Sequence, residues 1–488
     1  MKIHARYLAL AVSTNHALPR EKLMMRRDGE LVYELDFIPP TENDPLARLL
    51  YPDLSPFLGQ ELTFSVLSEG VERPYEATLT DTRPVSPYAS YLRPALHFSP
   101  RFGWMNDPNG LVYDGEWYHL YFQHNPAGTC WGNMHWGHAV SRDLLRWEEL
   151  GEALYPDENG AMFSGCGVVD YENVSGLGEG DRAPLLFYYT AAGGTSIRSE
   201  GRASEQYLAY STDGGRTLKK LPQPIVPEIV PGNRDPKVSY APELGKWVMA
   251  LYLGGNEYAL LTSEDLLHFT LLQRICLPGD SECPDFYPLI CAEDGRRLWV
   301  LSGASDCYLV GELDGEGFHP IQQVMPGRYT DFTYAAQSYY GIGGCEAISD
   351  VTRVPRVIKM AWGAIGEQGA EFYSQMNTPT EVTLHLDPDG CYRIARAPLP
   401  EALKSGIYDR EGAMLTLDAS SPAEGSFRGI PYRMDVEAST VTLGGVSVPL
   451  SYTGRIDVRM IADTLGIELW CDGGRSYAVV NCRPNTEK

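Results

Sequence analysis

The sequence predicts an all-β protein built around a five-bladed β-propeller, and three observations carry that prediction. Five aromatic-rich apolar segments recur at intervals of roughly 50 to 70 residues, a period within the range of propeller blades. Four of them are followed by a second segment ending in a turn of one type. Gly (49) and Pro (35) are abundant and no long helical pattern is present, which suits short strands joined by turns.

The repeated segments are EWYHLYFQ (116–123), PLLFYYTA (184–191), KWVMALYL (246–253), RLWVLSGA (297–304) and VIKMAWGA (357–364). Their followers are HAVSRDLLRW (138–147), LAYSTDGGRTL (208–218), LLTSEDLLHF (260–269) and LVGELDGEGF (309–318). The spacing implies one four-stranded sheet per repeat. Five such sheets closed around an axis over residues 91–395 leave few strand edges exposed. A β-sandwich whose strands look alike by chance is the competing architecture.

Ahead of the repeats, MKIHARYLALAVSTNH alternates Tyr7, Ala9 and Ala11 against Leu8, Leu10 and Val12, as a strand does. ELVYELDFI (30–38) and ELTFSVLSEG (61–70) continue the pattern between Pro-rich turns, so residues 1–90 read as a small β-rich accessory domain. Residues 396–488 hold MLTLDA, RMDVEA, STVTLGG, RIDVRMIAD and IELWCDGGRSYAVV, short strands that read as a β-sandwich.

A formal charge of −24 repels phosphate backbones and anionic lipid heads, and no Lys/Arg cluster reverses it locally. Nucleic acid and membrane surfaces are therefore not expected partners. The ten cysteines are scattered, without CxxC pairs, and read as mostly reduced, buried, small apolar residues. The apolar run near the N-terminus is too short and interrupted for a secretory or membrane segment. A cytoplasmic protein is expected, or one whose export signal has been removed.

Three short motifs carry chemistry. WMNDPNG (104–110) opens the first repeat, and its turn residues are expected to leave Asp107 at a strand end, flanked by Asn106 and near Trp104; alone it also reads as an Asx-turn. Ser281-Glu282-Cys283-Pro284-Asp285-Phe286 sets a carboxyl among apolar neighbours, where desolvation is expected to raise its pKa as a proton donor requires. Arg234-Asp235-Pro236-Lys237 sets a third carboxyl between two cations, which are expected to hold it ionised. The histidines, including His119, His124, His135 and His138, form no ligand cluster in sequence and are expected to pack or hydrogen-bond; neither metal nor organic cofactor is expected.

In this order at the heads of successive repeats, WMNDPNG, QHNPAGTCWG (123–132), FSG (163–165), RDPK (234–237) and ECPD (282–285) resemble glycoside hydrolase family 32, the β-fructosidases that include invertases, exo-inulinases and levanases. The resemblance covers residues 91 to 488 and implies a five-bladed propeller followed by a β-sandwich. It implies Asp107 as nucleophile, Glu282 as general acid/base and Asp235 as transition-state stabiliser. It places Asn106, Gln123, Trp131, Phe163, Ser164 and Arg234 at sugar-binding positions and Trp362 as a pocket Trp; by their bulk, Trp104, Trp131, Phe163 and Trp362 are expected to wall a closed-ended, desolvated pocket. The final segment is shorter than is usual in the family, which predicts an incomplete edge or incomplete packing of the sandwich against the propeller. Residues 1–90 lie outside the family's common core and resemble, loosely, an extra β-domain ahead of the propeller in some bacterial levanase-like members; they are expected to narrow the pocket's approach or to mediate a homodimer.

Chemistry on a ketosidic bond then follows. Glu282 protonates the leaving oxygen while Asp107 attacks the anomeric carbon; Glu282 next deprotonates water to release the fructosyl unit, a double displacement that retains configuration. The expected substrates are sucrose, fructo-oligosaccharides, inulin and levan, with terminal fructose released. A fructosyltransferase using the same carboxylates, a non-catalytic sugar-binding propeller, and an arabinan- or xylan-cleaving hydrolase are the alternatives.

Overall fold

The computed structural model describes residues 1–83, 91–344, 350, 352–410, 412–450 and 456–482. At 51% strand and 3% helix the described residues are nearly all β. The longest described helix spans Pro400–Lys404, and no helix among the described residues is long and apolar enough to cross a membrane.

Each of the five repeated segments becomes the second strand of a four-stranded antiparallel sheet. The first sheet orders Gly103–Tyr113, Tyr118–Asn125, His135–Ser141 and Glu148–Leu154; the second, Ala161–Val169, Leu185–Ala192, Glu205–Ser211 and Lys219–Lys220. The third orders Arg234–Ala241, Lys246–Gly254, Glu257–Ser263 and Thr270–Cys276. The fourth orders Asp285–Ile290, Arg297–Ser302, Tyr308–Asp314 and Gly317–Pro320, and the fifth Tyr334–Ser338, Val357–Gly363, Thr380–Leu386 and Tyr392–Pro398. The first strand of each sheet contacts the first strand of the next, and the fifth returns to the first. Phe372–Tyr373, reached from the fifth sheet, adds parallel to Gly103 and Trp104 and ties the two ends of the ring together.

The repeat persists at atomic detail because it satisfies the same backbone groups each time. After the third strands of sheets one to three, Ser141, Ser211 and Ser263 donate to Asp143, Asp213 and Asp265. Each of those carboxylates caps backbone N–H groups of the turn that follows. Neighbouring sheets share apolar cores: Phe286 and Trp299 of the fourth pack with Val248 and Leu260 of the third, and Val300 with Val357 and Val382 of the fifth.

Two smaller pairs of sheets flank the ring. Ala47–Leu50, Tyr7–Ser13 and Thr78–Thr80 form one N-terminal sheet, and Glu30–Phe37, Glu21–Arg27, Thr63–Ser68 and Val71–Pro74 the other. Their shared core of Leu8, Leu10, Leu23 and Leu35 extends to Phe102 and Ala127 of the first repeat. The expected limit at residue 90 lies in 84–90, outside the described residues.

At the C-terminal end, Met414–Ala419, Ile456–Ala462, Gly466–Cys471 and Ser476–Asn481 face a sheet of Ala423–Phe427, Ile430–Asp435, Thr440–Leu443 and Val446–Pro449. Met434, Val441 and Val448 meet Val458, Ile467 and Leu469 across that gap. The expectation of incomplete packing against the ring is corrected. Ile461, Leu465, Trp470 and Tyr477 belong to one apolar cluster with Phe98, Met105 and Ile358. A buried His97 bridges Asp463 (2.8 Å) and Glu468 (2.6 Å) at the same junction.

The nine described cysteines are all free thiols, five of them buried; Cys276 is exposed and Cys345 lies outside the described residues. The buried histidines have structural partners: His119 meets His138 (3.1 Å), His124 the Phe102 carbonyl (2.8 Å) and His135 the Tyr33 hydroxyl (2.5 Å).

Candidate active site

The functional side chains stand where the first strands leave regular pairing. Gly103–Tyr113 pairs Met105 with His124 and Pro108 with Phe122, so one extra residue at Asn106-Asp107 is bulged out of the ladder. Asp107 therefore sits within a strand, at a bulge, and not at a strand end as expected. The same irregularity frees Ser164 between Phe163 and Gly165, and Asp235 between Arg234 and Lys237. Proline at 108 and 236, which has no N–H to give a ladder, suits both bulges. Glu282 and Cys283 precede the fourth sheet, and Tyr334 heads the fifth.

Backbone strain marks the same places. Asp235, Glu282 and Cys283 hold left-handed φ values of 64°, 56° and 34°, a conformation that costs a non-glycine residue on the order of 1 kcal/mol. Tertiary contacts impose it. The Asp235 N–H donates to Thr190 Oγ1 (3.0 Å), and the Cys283 N–H to Asp235 Oδ2 (3.1 Å).

These segments converge on one cavity of about 320 Å³ lined by Asp107, Asp235 and Glu282. Ser164 Oγ donates to Asp107 Oδ2 at 2.6 Å, and Asn106 Nδ2 to Oδ1 at 3.2 Å. The Cys283 thiol lies 3.3 Å from Asp107 Oδ2 and 3.6 Å from Asp235 Oδ2. Arg234 donates to Glu282 Oε1 and the Tyr334 hydroxyl to Oε2, both at 2.6 Å.

Charge states differ from two expectations. Burial lifts the Asp107 carboxyl above its ordinary value, against the hydrogen bonds from Ser164, Asn106 and Cys283. Asp235 was expected to stay ionised between two cations; burial instead pushes it up to about 7, with Arg234 opposing and Asp107 reinforcing. The second cation does not serve it, because Lys237 Nζ donates to the Ser338 carbonyl (2.6 Å) and pairs with Asp285 (3.3 Å). Glu282 was expected to be raised. Burial does push that way, but the hydrogen bonds from Tyr334 and Arg234 outweigh it and hold the carboxyl below its ordinary value. Its side chain keeps 34% exposure, and Phe286, expected to dry it, is buried against Trp299 instead. Burial beside the three carboxylates keeps the Cys283 thiol protonated, hence a donor.

The remaining expected residues divide. Asn106, Gln123, Trp131, Phe163, Ser164, Arg234 and Trp362 all line the cavity. Gln123 is fixed by donating to the Met162 carbonyl (2.8 Å). Asn125 holds the loop that presents Trp131, accepting from Ala127 N–H and donating to the Cys130 carbonyl. Trp104 is corrected from a lining to a supporting position. Its indole N–H fixes Asn106 Oδ1 (2.9 Å), while its ring stacks on Tyr373 (4.9 Å) and meets Trp362 edge-on (5.7 Å). Two lining residues escaped sequence reasoning: Tyr334, and Cys283 as a hydrogen-bonding hub. Tyr334's place at the head of the fifth repeat was the available signal.

Residues 97–385 match the sequence model described as the glycosyl hydrolases family 32 N-terminal domain. The chain is 40% identical over 285 residues to a levanase of Bacillus subtilis (strain 168), covering 54% of this chain and 41% of that protein. It is 38% identical over 252 residues to an invertase of Schizosaccharomyces pombe, covering 47% and 42%. The chain thus spans about two fifths of the length of these curated relatives. In fold it is similar to the exo-inulinase of Aspergillus awamori, with a TM-score of 0.68 at 23% identity over 82% of this chain and 94% of that one.

Proposed function

The chain belongs to glycosyl hydrolase family 32, and from that premise we propose that it is a retaining β-fructofuranosidase releasing terminal fructose from sucrose, fructo-oligosaccharides or fructans. One observation carries the reading: three carboxylates from segments far apart in sequence, Asp107, Asp235 and Glu282, face one cavity with fixed hydrogen-bonding partners. The ring of five sheets is, in this reading, a five-bladed propeller spanning 91–395, with 1–90 as accessory domain and 396–488 as sandwich. The relatives named levanase, invertase and exo-inulinase support the substrate class.

Asp107, oriented by Ser164 and Asn106, attacks the anomeric carbon as Glu282 gives its proton to the departing oxygen; Glu282 then takes a proton from water as the fructosyl ester is cleaved. This sequence requires the proton on Glu282 and the charge on Asp107, against the direction in which burial moves Asp107 and the bonds from Tyr334 and Arg234 move Glu282. Sugar hydroxyls that compete for Arg234 and exclude water from Glu282 raise it toward a donor, and Asp235 takes hydroxyl hydrogen bonds as charge develops on the ring. No step in it calls for a metal or cofactor. The aromatic walls Trp131, Phe163 and Trp362 suit one terminal ring, and so release from chain ends.

Incubation with sucrose, inulin and levan separately, followed by chromatography of early products, tests the reading. Fructose as the sole early product from the polymers is expected. A ladder of internal oligosaccharides overturns exo-action, glucose in large excess over fructose from sucrose indicates a transferase, and release of pentose from arabinan or xylan alone replaces the substrate class.

A further inference from the structure

The catalytic cavity shares a wall with a second recess. Trp131 and Phe163, packed edge to face at 5.9 Å, line both. The far side of the recess comes from the N-terminal sheets, through Arg20, Lys22, Glu34 and Asp36. Residues 1–96 lie ahead of the segment matched to the family, so this wall is an addition to the matched core.

The recess is built and held. Asp36 N–H donates to Asn133 Oδ1 (2.8 Å) and Asn133 Nδ2 returns to the Asp36 carbonyl (2.7 Å), which locks the N-terminal strand to the loop carrying Trp131. Tyr33 meets His135 at 2.5 Å, and Glu34 accepts from the Arg198 N–H at 3.1 Å. Lys22 sits between Glu34 (2.8 Å) and Asp36 (2.7 Å). Its cations Arg20, Lys22 and Arg198 balance the carboxylates Glu34, Asp36 and Asp157. An anion or cation gains nothing from such a site, whereas a neutral ligand rich in hydroxyls finds donors and acceptors alternating around it.

Trp131 is 50% exposed, a large apolar face left in water between the two recesses, and a sugar ring covers such a face with its C–H groups. Arg20, exposed beside it, donates to the Cys130 sulfur (3.2 Å), a weak acceptor, so its guanidinium stays open to stronger ones. We propose that this recess is a second sugar subsite, binding a further unit of an oligofructoside whose terminal fructose occupies the catalytic cavity. At about 90 Å³ against 320 Å³ it takes part of one ring, not a chain. The inference rests on the fructosidase reading and deepens it: the unit bound lies beyond the one next to the cleaved bond, so the favoured substrates are fructans of three or more units and sucrose has no ring to place there.

Steady-state kinetics of Arg20→Ala and Asp36→Asn on sucrose and on β-2,1- and β-2,6-linked fructo-tetrasaccharides test it, with thermal unfolding as the control. Both side chains stand outside the catalytic cavity, and Asp36→Asn leaves Lys22 its partner Glu34. The expected result is kcat/KM on at least one tetrasaccharide lowered about tenfold through KM, with sucrose kinetics and unfolding unchanged. Unchanged tetrasaccharide kinetics in both variants, or an equal loss on sucrose, overturns the subsite while the fructosidase reading stands. A wild-type protein that cleaves none of these sugars overturns both.

Discussion

At Glu282 two hydrogen bonds compete with burial, and the bonds prevail. Removing one of them should move the balance. Tyr334→Phe deletes the donor to Oε2, so the carboxyl retains its proton to higher pH than in the wild type. Since kcat/KM reports the free protein, the alkaline limb of its pH profile is expected to shift upward in this variant, and an unmoved limb contradicts Glu282 as the acid. For the same reason the wild-type alkaline limb should lie at lower pH in kcat/KM than in kcat, where bound sugar has displaced water from Glu282. Chelation with EDTA is expected to leave the rate unchanged; loss of activity restored by a divalent ion contradicts the metal-free scheme.

The bulged first strands place these side chains, and at Ser164 the geometry depends on the glycine beside the bulge. A Cβ on Gly165 would stand 1.9 Å from the Tyr188 carbonyl oxygen, a backbone atom that cannot rotate away. Gly165→Ala is therefore expected to push the strand off its neighbour, cost about 1–3 kcal/mol and draw Ser164 away from Asp107. Lower denaturation midpoint and lower kcat together are the check; a variant with wild-type values contradicts the assigned bulge. Much of this element was legible in advance. The repeated strands and their Ser-x-Asp turns showed as period and wording, and the motif residues fell at repeat heads. Charge states were not legible, because they depend on which way long side chains turn: Lys237 reaches Ser338 and Asp285, far along the chain, and Arg234 reaches Glu282. Tyr334 escaped for a related reason, since DFTY carries no chemical wording of its own and acquires a role only when the fifth sheet packs beside the fourth and the hydroxyl reaches Glu282.

Over the whole molecule, the ring and the C-terminal sheets are joined by a buried charge. His97, held by Asp463 and Glu468, is raised to about 10; burial opposes the shift and the two carboxylates impose it. A histidine whose folded value exceeds its unfolded one of about 6.5 contributes stability in full below the unfolded value and loses it as pH rises through the folded one. The denaturation midpoint should accordingly fall between pH 7 and 10. His97→Gln removes the cation that two buried carboxylates share, is expected to cost about 3–5 kcal/mol, and should flatten that slope; an unchanged slope contradicts the assignment. This function requires the whole scaffold, because the three carboxylates come from the first strands of sheets one and three and from the turn ahead of sheet four. The division of labour between two of them is tested most directly by initial rates with a fructoside bearing an activated leaving group, with and without azide. Asp107→Asn is expected to lose on the order of 10⁴-fold with no recovery. Glu282→Gln should lose roughly 10²–10⁴-fold on sucrose, keep its first step on the activated substrate and recover turnover with azide, which needs no base. Near-wild-type turnover of sucrose by either variant, or azide recovery in Asp107→Asn alone, would contradict it.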